Sequence, residues 1–218
     1  FMPESDALAF IKDAARTKTS LSFGAGVQTT ALVVLIANGK WPRPDVILMA
    51  DTGDEKPATY AYLADVMAPF AHSAWLDIKV LGREWRTGHY AANLYDYCMA
   101  HRMLPGTMVR WCTDRYKVKP IERYLKREMG ATKNNPVESW IGISLDEQHR
   151  AVRARPSLLQ IKRYPLIEMG LRRTDCEDII RQAGLPVPPK SGCWYCPFQR
   201  QVIWQRMKRR DSEHFGAA

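Results

Sequence analysis

Two short stretches that read as strands each end in a loop of small residues and are followed by a stretch of helical length. The first, Thr19 to Phe23, runs into Gly24-Ala25-Gly26, and Thr29 to Ala37 then continue as an apolar helix. The second, Asp45 to Ala50, is apolar throughout after its first residue and stops at Asp51-Thr52-Gly53. A strand as short and apolar as the second is covered on both faces, which parallel sheets achieve with crossover helices. The same alternation recurs downstream. Pro57 to Met67 read as a helix with proline near its first turn, Trp75 to Val80 as a third strand, Val118 to Met129 as a helix with a basic outer face, and Val137 to Ile143 as a fourth strand. Residues 5–17 carry Leu8, Phe10, Ile11 and Ala14 at helical spacing.

The character changes near Arg153. Pro165, Pro186, Pro188 and Pro189 break the pattern, leaving a helix over Thr174 to Ala183 and a last one over Pro197 to Arg210. Thr174 with Glu177 three residues on reads as a capping box. The expected organisation is an α/β domain over 1–152, with an irregular cysteine-bearing segment over 153–218 packed on it. Together they form one structural domain, a Rossmann-like parallel sheet with helices on both faces.

No apolar run approaches the roughly 20 residues of a membrane span, and the N-terminus has no signal-peptide pattern, so a cytoplasmic protein is expected. A net charge of +9 suits a polyanionic partner, either a phosphorylated small molecule or nucleic acid, as well as plain solubility. Five cysteines without an export signal point to ligands or reactive thiols rather than disulfides.

Glycines at a strand-to-helix turn let backbone N–H groups approach a phosphate at the positive end of the helix. Gly24, Ala25, Gly26, Gln28, Thr29 and Thr30 are the candidate cradle, and Asp51, Thr52 and Gly53 face the same crevice beyond the strand ends. Cys193-Trp194-Tyr195-Cys196 is a bidentate claw for a soft metal.

These motifs, in this order, resemble the PP-loop (adenine nucleotide alpha-hydrolase) superfamily, and within it the phosphoadenylylsulfate (PAPS) reductase-like family. The family loop Phe-Ser-Gly-Gly-Lys-Asp-Ser-Thr is matched by Phe23 to Thr30, and its Asp-Thr-Gly by Asp51-Thr52-Gly53. Cys112-Thr113 with Lys117-Val118-Lys119-Pro120 is similar to its Cys-Cys-x-x-x-Lys-Val-x-Pro. Gly142 to Glu147 with Arg150 resembles a substrate-contacting segment, Tyr164 to Ile167 its Asn-Pro-Leu stretch, and Ser191 to Cys196 its Cys-x-x-Cys. The likeness spans roughly residues 20–200 and leans toward the branch of DNA-phosphorothioation sulfur-transfer proteins and phage-borne relatives.

The resemblance implies ATP or another adenine nucleotide, with or without Mg2+, on the two loops, and Lys117 and Arg150 as catalytic residues near its phosphate or sulfate. It also implies a [4Fe-4S] cluster, for which Cys112, Cys176, Cys193 and Cys196 are the expected ligands, with Cys98 the other substitute for the missing member of the cysteine pair. Four thiolates serve Zn2+ equally well by spacing. Val27 and Gln28 depart from the family loop, in which a lysine and an acid are usual, and no cysteine follows Cys196. The leading expectation is a cluster-dependent enzyme of sulfur transfer or related redox chemistry, with a nucleotide or nucleic-acid substrate, a sulfur- or electron-donor protein and a homodimer among its partners. The alternatives are a sulfonucleotide reductase using Cys98 or an external thiol, and a zinc-stapled, non-catalytic nucleotide- or nucleic-acid-binding module.

Overall fold

The computed structural model describes residues 16–106, 110–154 and 156–217. Five parallel strands form one sheet: β1 (Thr19–Ser22), β2 (Val46–Ala50), β3 (Ile78–Leu81), β4 (Val137–Ile141) and β5 (Gln160–Arg163), in the order β3-β2-β1-β4-β5. The order reverses direction between β1 and β4, the switch point beyond whose strand ends ligands collect in open α/β sheets. Most of the helix expected over 5–17 lies outside the described residues.

Alternation along β2 sets the two faces. Ile47 and Met49 join one core with Leu21, Trp140 and the helix α1 (Val27–Ala37), whereas Leu48 joins the other with Leu81, Tyr124, Leu125 and Val137. The second core is closed by α5 (Lys119–Arg127), whose Tyr124 and Leu125 are buried while Lys126 and Arg127 face out. Between β1 and β4 the Ser20 and Ser139 hydroxyls share a buried hydrogen bond of 2.9 Å, so this polar pair is mutually satisfied.

Nearly every residue of α1 is buried, because the sheet lies on one side and α6 (Arg173–Gln182) on the other. That is why its sequence is apolar all round rather than striped. α6 is striped: Cys176 and Ile180, four apart, face α1, while Arg173, Glu177, Asp178 and Arg181 form ion pairs on the outer side. After β2, α2 (Pro57–Tyr62) runs through a π-turn (Leu63–Met67) into α3 (Ala68–Ser73). The chain then crosses α4 (Leu94–His101) and ends in α7 (Gln201–Arg210) and α8 (Ser212–Ala217). Among the described residues no helix is long and apolar enough to cross a membrane.

The segment after Arg153 is more regular than its prolines imply. It supplies β5, which pairs with β4 from Val137↔Gln160 to Trp140↔Arg163, and it supplies α6. The helix starts differently from the expected Thr174 box. Its N-cap is Arg172, whose N–H donates to the Asp175 carboxylate at 2.7 Å, so Asp175 rather than Glu177 closes the first turn.

Candidate functional site

Two loops at the sheet's carboxyl edge carry the residues expected to cradle a nucleotide. After β1 the Phe23 N–H still donates to Leu48 O at 2.8 Å, and Ala25 then turns the chain with φ +50. Gly26 caps α1. The Thr29 hydroxyl accepts from the Gly24 and Gly26 N–H groups at 3.3 Å each and donates to Gly26 O at 3.1 Å. Thr29 therefore rigidifies the loop from within, and Thr30 is fully buried; neither hydroxyl stands at the mouth as expected. Gly142, after β4, presses on this start of α1: a Cβ there would come within 2.6 Å of Thr29 Cγ2. Only glycine lets the two loops approach so closely.

After β2, the Asp51 carboxylate accepts from the Tyr60 hydroxyl at 2.7 Å and the Gly53 N–H at 2.9 Å. Burial, together with Asp51, holds the Tyr60 hydroxyl well above its usual pKa, so it stays a donor. Gly53 has φ +81, and a Cβ there would overlap the Asn93 side chain, which ties this loop to the start of α4. Buried Arg86 donates to the Asp51 and Thr52 carbonyls at 3.2 and 3.0 Å.

The thiol side is joined directly to this loop. Glu55 and Cys193 form an isolated antiparallel bridge; Lys56 N–H donates to Gly192 O at 3.1 Å and Trp194 N–H to Asp54 O at 3.1 Å. The Glu55 carboxylate is 3% exposed and accepts from Lys117 Nζ at 2.8 Å and from Gly192 N–H at 2.8 Å. Burial alone would lower the Lys117 ammonium, but the Glu55 charge and hydrogen bond outweigh it and hold it above the ordinary lysine value. Lys117 sits in a π-turn (Asp114–Val118) just after Cys112, so the ion pair brings Cys112 to the Cys193 turn. The Thr52 hydroxyl lies 3.5 Å from Cys193 Sγ.

Cys112 and Cys193 thus lie on one wall, each within electrostatic reach of Lys117 and of Cys196. Burial, reinforced at Cys193 by the Glu55 carboxylate, pushes that thiol up to about 12, and burial raises Cys112. Cys98 stands behind them in the same aromatic cluster with Tyr97, Tyr116 and Tyr195. Cys176 does not join them. It is fully buried in the other core, between α6 and α1, because it occupies the apolar stripe with Ile180. Among the described residues no three Cys, His, Asp or Glu side chains stand close enough together to hold a metal ion. The thiols share a wall and do not close a ligand set.

Opposite lies a polar network. Gln28 Nε2 donates to Ser144 Oγ at 3.5 Å and Glu147 Oε2 at 3.3 Å, and Gln28 Oε1 accepts from Arg173 at 3.4 Å. Arg150 pairs with the same Glu147. Gln28 thus ties the glycine loop to the segment after β4 and to α6, a role its replacement of an acid gave no hint of. The other groups missed in the sequence are Glu55, Tyr60, Arg86 and Asn93, which hold the second loop in shape.

No family model matches this chain, and no curated protein matches it. Its fold is similar to solved structures. Phosphoadenylyl-sulfate (PAPS) reductase from Candida auris, in a phosphate complex, aligns with a TM-score of 0.56 and 15% identity over 87% of each chain. The U34-tRNA thiolase NcsA from Methanococcus maripaludis, with its [4Fe-4S] cluster, aligns with a TM-score of 0.50 and 11% identity over 93% of this chain and 69% of that one. At these identities the likeness is one of fold.

Proposed function

We propose that this chain is an adenine-nucleotide-binding enzyme of the sulfur-transfer or reductase kind, working in the crevice between the glycine loop and the thiol wall. The observation that carries the reading is the clasp of the Cys193 turn to the loop after β2. It sets thiols beside a nucleotide-type cradle through two backbone hydrogen bonds and an ion pair whose carboxylate is buried. Two proteins with similar folds support it: one a PAPS reductase, the other a thiolase bearing an iron–sulfur cluster.

The residues divide the work. The backbone from Gly24 to Gln28, at the positive end of α1, takes the phosphate chain. Asp51, held by Tyr60 and Gly53, faces the same crevice with its second carboxylate oxygen, suited to a ribose hydroxyl or an amine. Lys117 holds Glu55, and through it the thiol turn, in place, and its charge lies beside Cys112 and Cys193. Arg150 and Arg173 meet at Glu147 and Gln28 on the far rim.

A [4Fe-4S] cluster is the cofactor we propose for Cys112, Cys193 and Cys196, with Cys176 excluded by its place in the core. Binding would require the 193–196 turn and Cys112 to draw together and shed their protons. Titration of the anaerobically prepared protein with ATP, adenylylsulfate and GTP tests the nucleotide reading. Saturable binding of the adenine compounds with GTP at least about tenfold weaker supports it, and no binding of any of the three removes it.

A further inference from the structure

We infer that Lys56 and Lys190 form an oxyanion subsite between the glycine loop and the Cys193 turn, taking the terminal phosphate or sulfate of the nucleotide. The inference rests on the nucleotide reading above and names the groups that recognise the tail.

The placement comes from the clasp. Glu55 and Lys56 are consecutive on a segment bridged to Cys193, so their side chains leave on opposite sides. Glu55 turns inward to Lys117, which leaves Lys56 on the other side, next to the Lys190-Ser191-Gly192 turn that its own N–H bonds. That turn also abuts the start of α1, since a Cβ on Gly26 would lie 3.2 Å from Ser191 Oγ. The two lysines therefore meet where the phosphate loop and the thiol wall join.

Their electrostatics are incomplete. Burial and then the Lys190 charge lower the Lys56 ammonium, against Cys196, Glu55 and Cys193. Neither lysine makes an ion pair among the described residues, whereas neighbouring Lys117 is paired at 2.8 Å. The glycine loop contributes no cation of its own, because Val27 and Gln28 are uncharged. Two like charges held together beside a helix N-terminus favour a multiply charged anion between them. A tetrahedral oxyanion has enough acceptors for both ammonium groups and the α1 backbone.

The test compares the wild type with a Lys56→Gln/Lys190→Gln variant, titrated with ATP, adenosine and pyrophosphate. The expected result is a loss of at least about tenfold in affinity for ATP and pyrophosphate, unchanged adenosine affinity, and a shallower salt dependence of ATP binding. The Lys56→Arg/Lys190→Arg variant should keep ATP affinity within about threefold of wild type, which separates charge from folding damage. ATP affinity within about twofold of wild type in the glutamine variant overturns the subsite. So does an equal loss for ATP and adenosine in both double variants. If the wild type binds neither ATP nor adenosine, the nucleotide reading itself falls and the subsite with it.

Discussion

Two glutamates flank the proposed site, each paired with a cation whose catalytic role is an expectation from the family resemblance, and their settings are opposite. Glu55, on the thiol side, is 3% exposed and is shared between Lys117 and the Gly192 N–H. Glu147, on the amide side, is 32% exposed, and its partner Arg150 is 57% exposed. The first pair links three segments distant in sequence and fixes the thiol turn. The second is a local i,i+3 contact on the rim, within a polar network that can exchange partners. The difference assigns rigidity to the thiol side and adaptability to the side that would meet the substrate.

Breaking the buried pair should have the largest effect. Glu55→Ala leaves Lys117 without its partner and strands the Gly192 N–H. The cost expected is about 2–3 kcal/mol, below the range for a fully buried pair because Lys117 is 40% exposed. Denaturant unfolding measures it, and a loss under about 0.5 kcal/mol would erase the contrast between the two sides.

Next comes Gly142→Ala. Its methyl group would meet Thr29 Cγ2 and the α1 backbone, forcing the amide-side loop away from the glycine loop, at about 1–3 kcal/mol. Weaker nucleotide binding should accompany the loss of stability. A variant as stable as wild type would show that the two loops can separate freely.

Alkali separates the sides by titration. Lys117 has a raised pKa in the folded protein, so its stabilising share is fully present below the ordinary lysine value of about 10.4 and is lost as pH rises through the higher folded value. Cys176, raised from 9.0 to about 12, works in the same direction over that window. Stability should fall between pH about 9 and about 12, and Cys176→Ala should remove up to about 1.4 kcal/mol per pH unit of that slope. An unchanged slope would show that the thiol is not confined to the core.

The smallest effect is expected at the rim. Glu147→Gln should change stability by about 0.5 kcal/mol or less, because an exposed pair contributes little. A loss comparable to that of Glu55→Ala would mean the rim is as rigid as the thiol side.

The parallel sheet was legible because β2 is a buried apolar run and small-residue loops leading into helical stretches follow both it and β1. β5 was not: Gln160-Ile161-Lys162-Arg163 is an edge strand whose one apolar residue, Ile161, is exposed. The thiol turn and the two strand-end loops were visible as motifs, yet their joining was not. Nothing local to Glu55 shows that it will bridge Cys193, so the roles of Glu55, Lys56 and Lys190 come only from tertiary pairing. Cys176 illustrates the reverse. Its place near a helix start resembles a ligand position, but the four-residue spacing to Ile180 puts it on the stripe facing α1.

The most direct measurement is iron and acid-labile sulfide in anaerobically purified protein, wild type alongside Cys112→Ser, Cys193→Ser and Cys176→Ser. About four irons and four sulfides per chain are predicted for the wild type, lost in the first two variants and retained in Cys176→Ser. Stoichiometric zinc, no metal at all, or loss of iron in Cys176→Ser equal to that in Cys112→Ser would contradict a cluster held on the wall beside the nucleotide crevice.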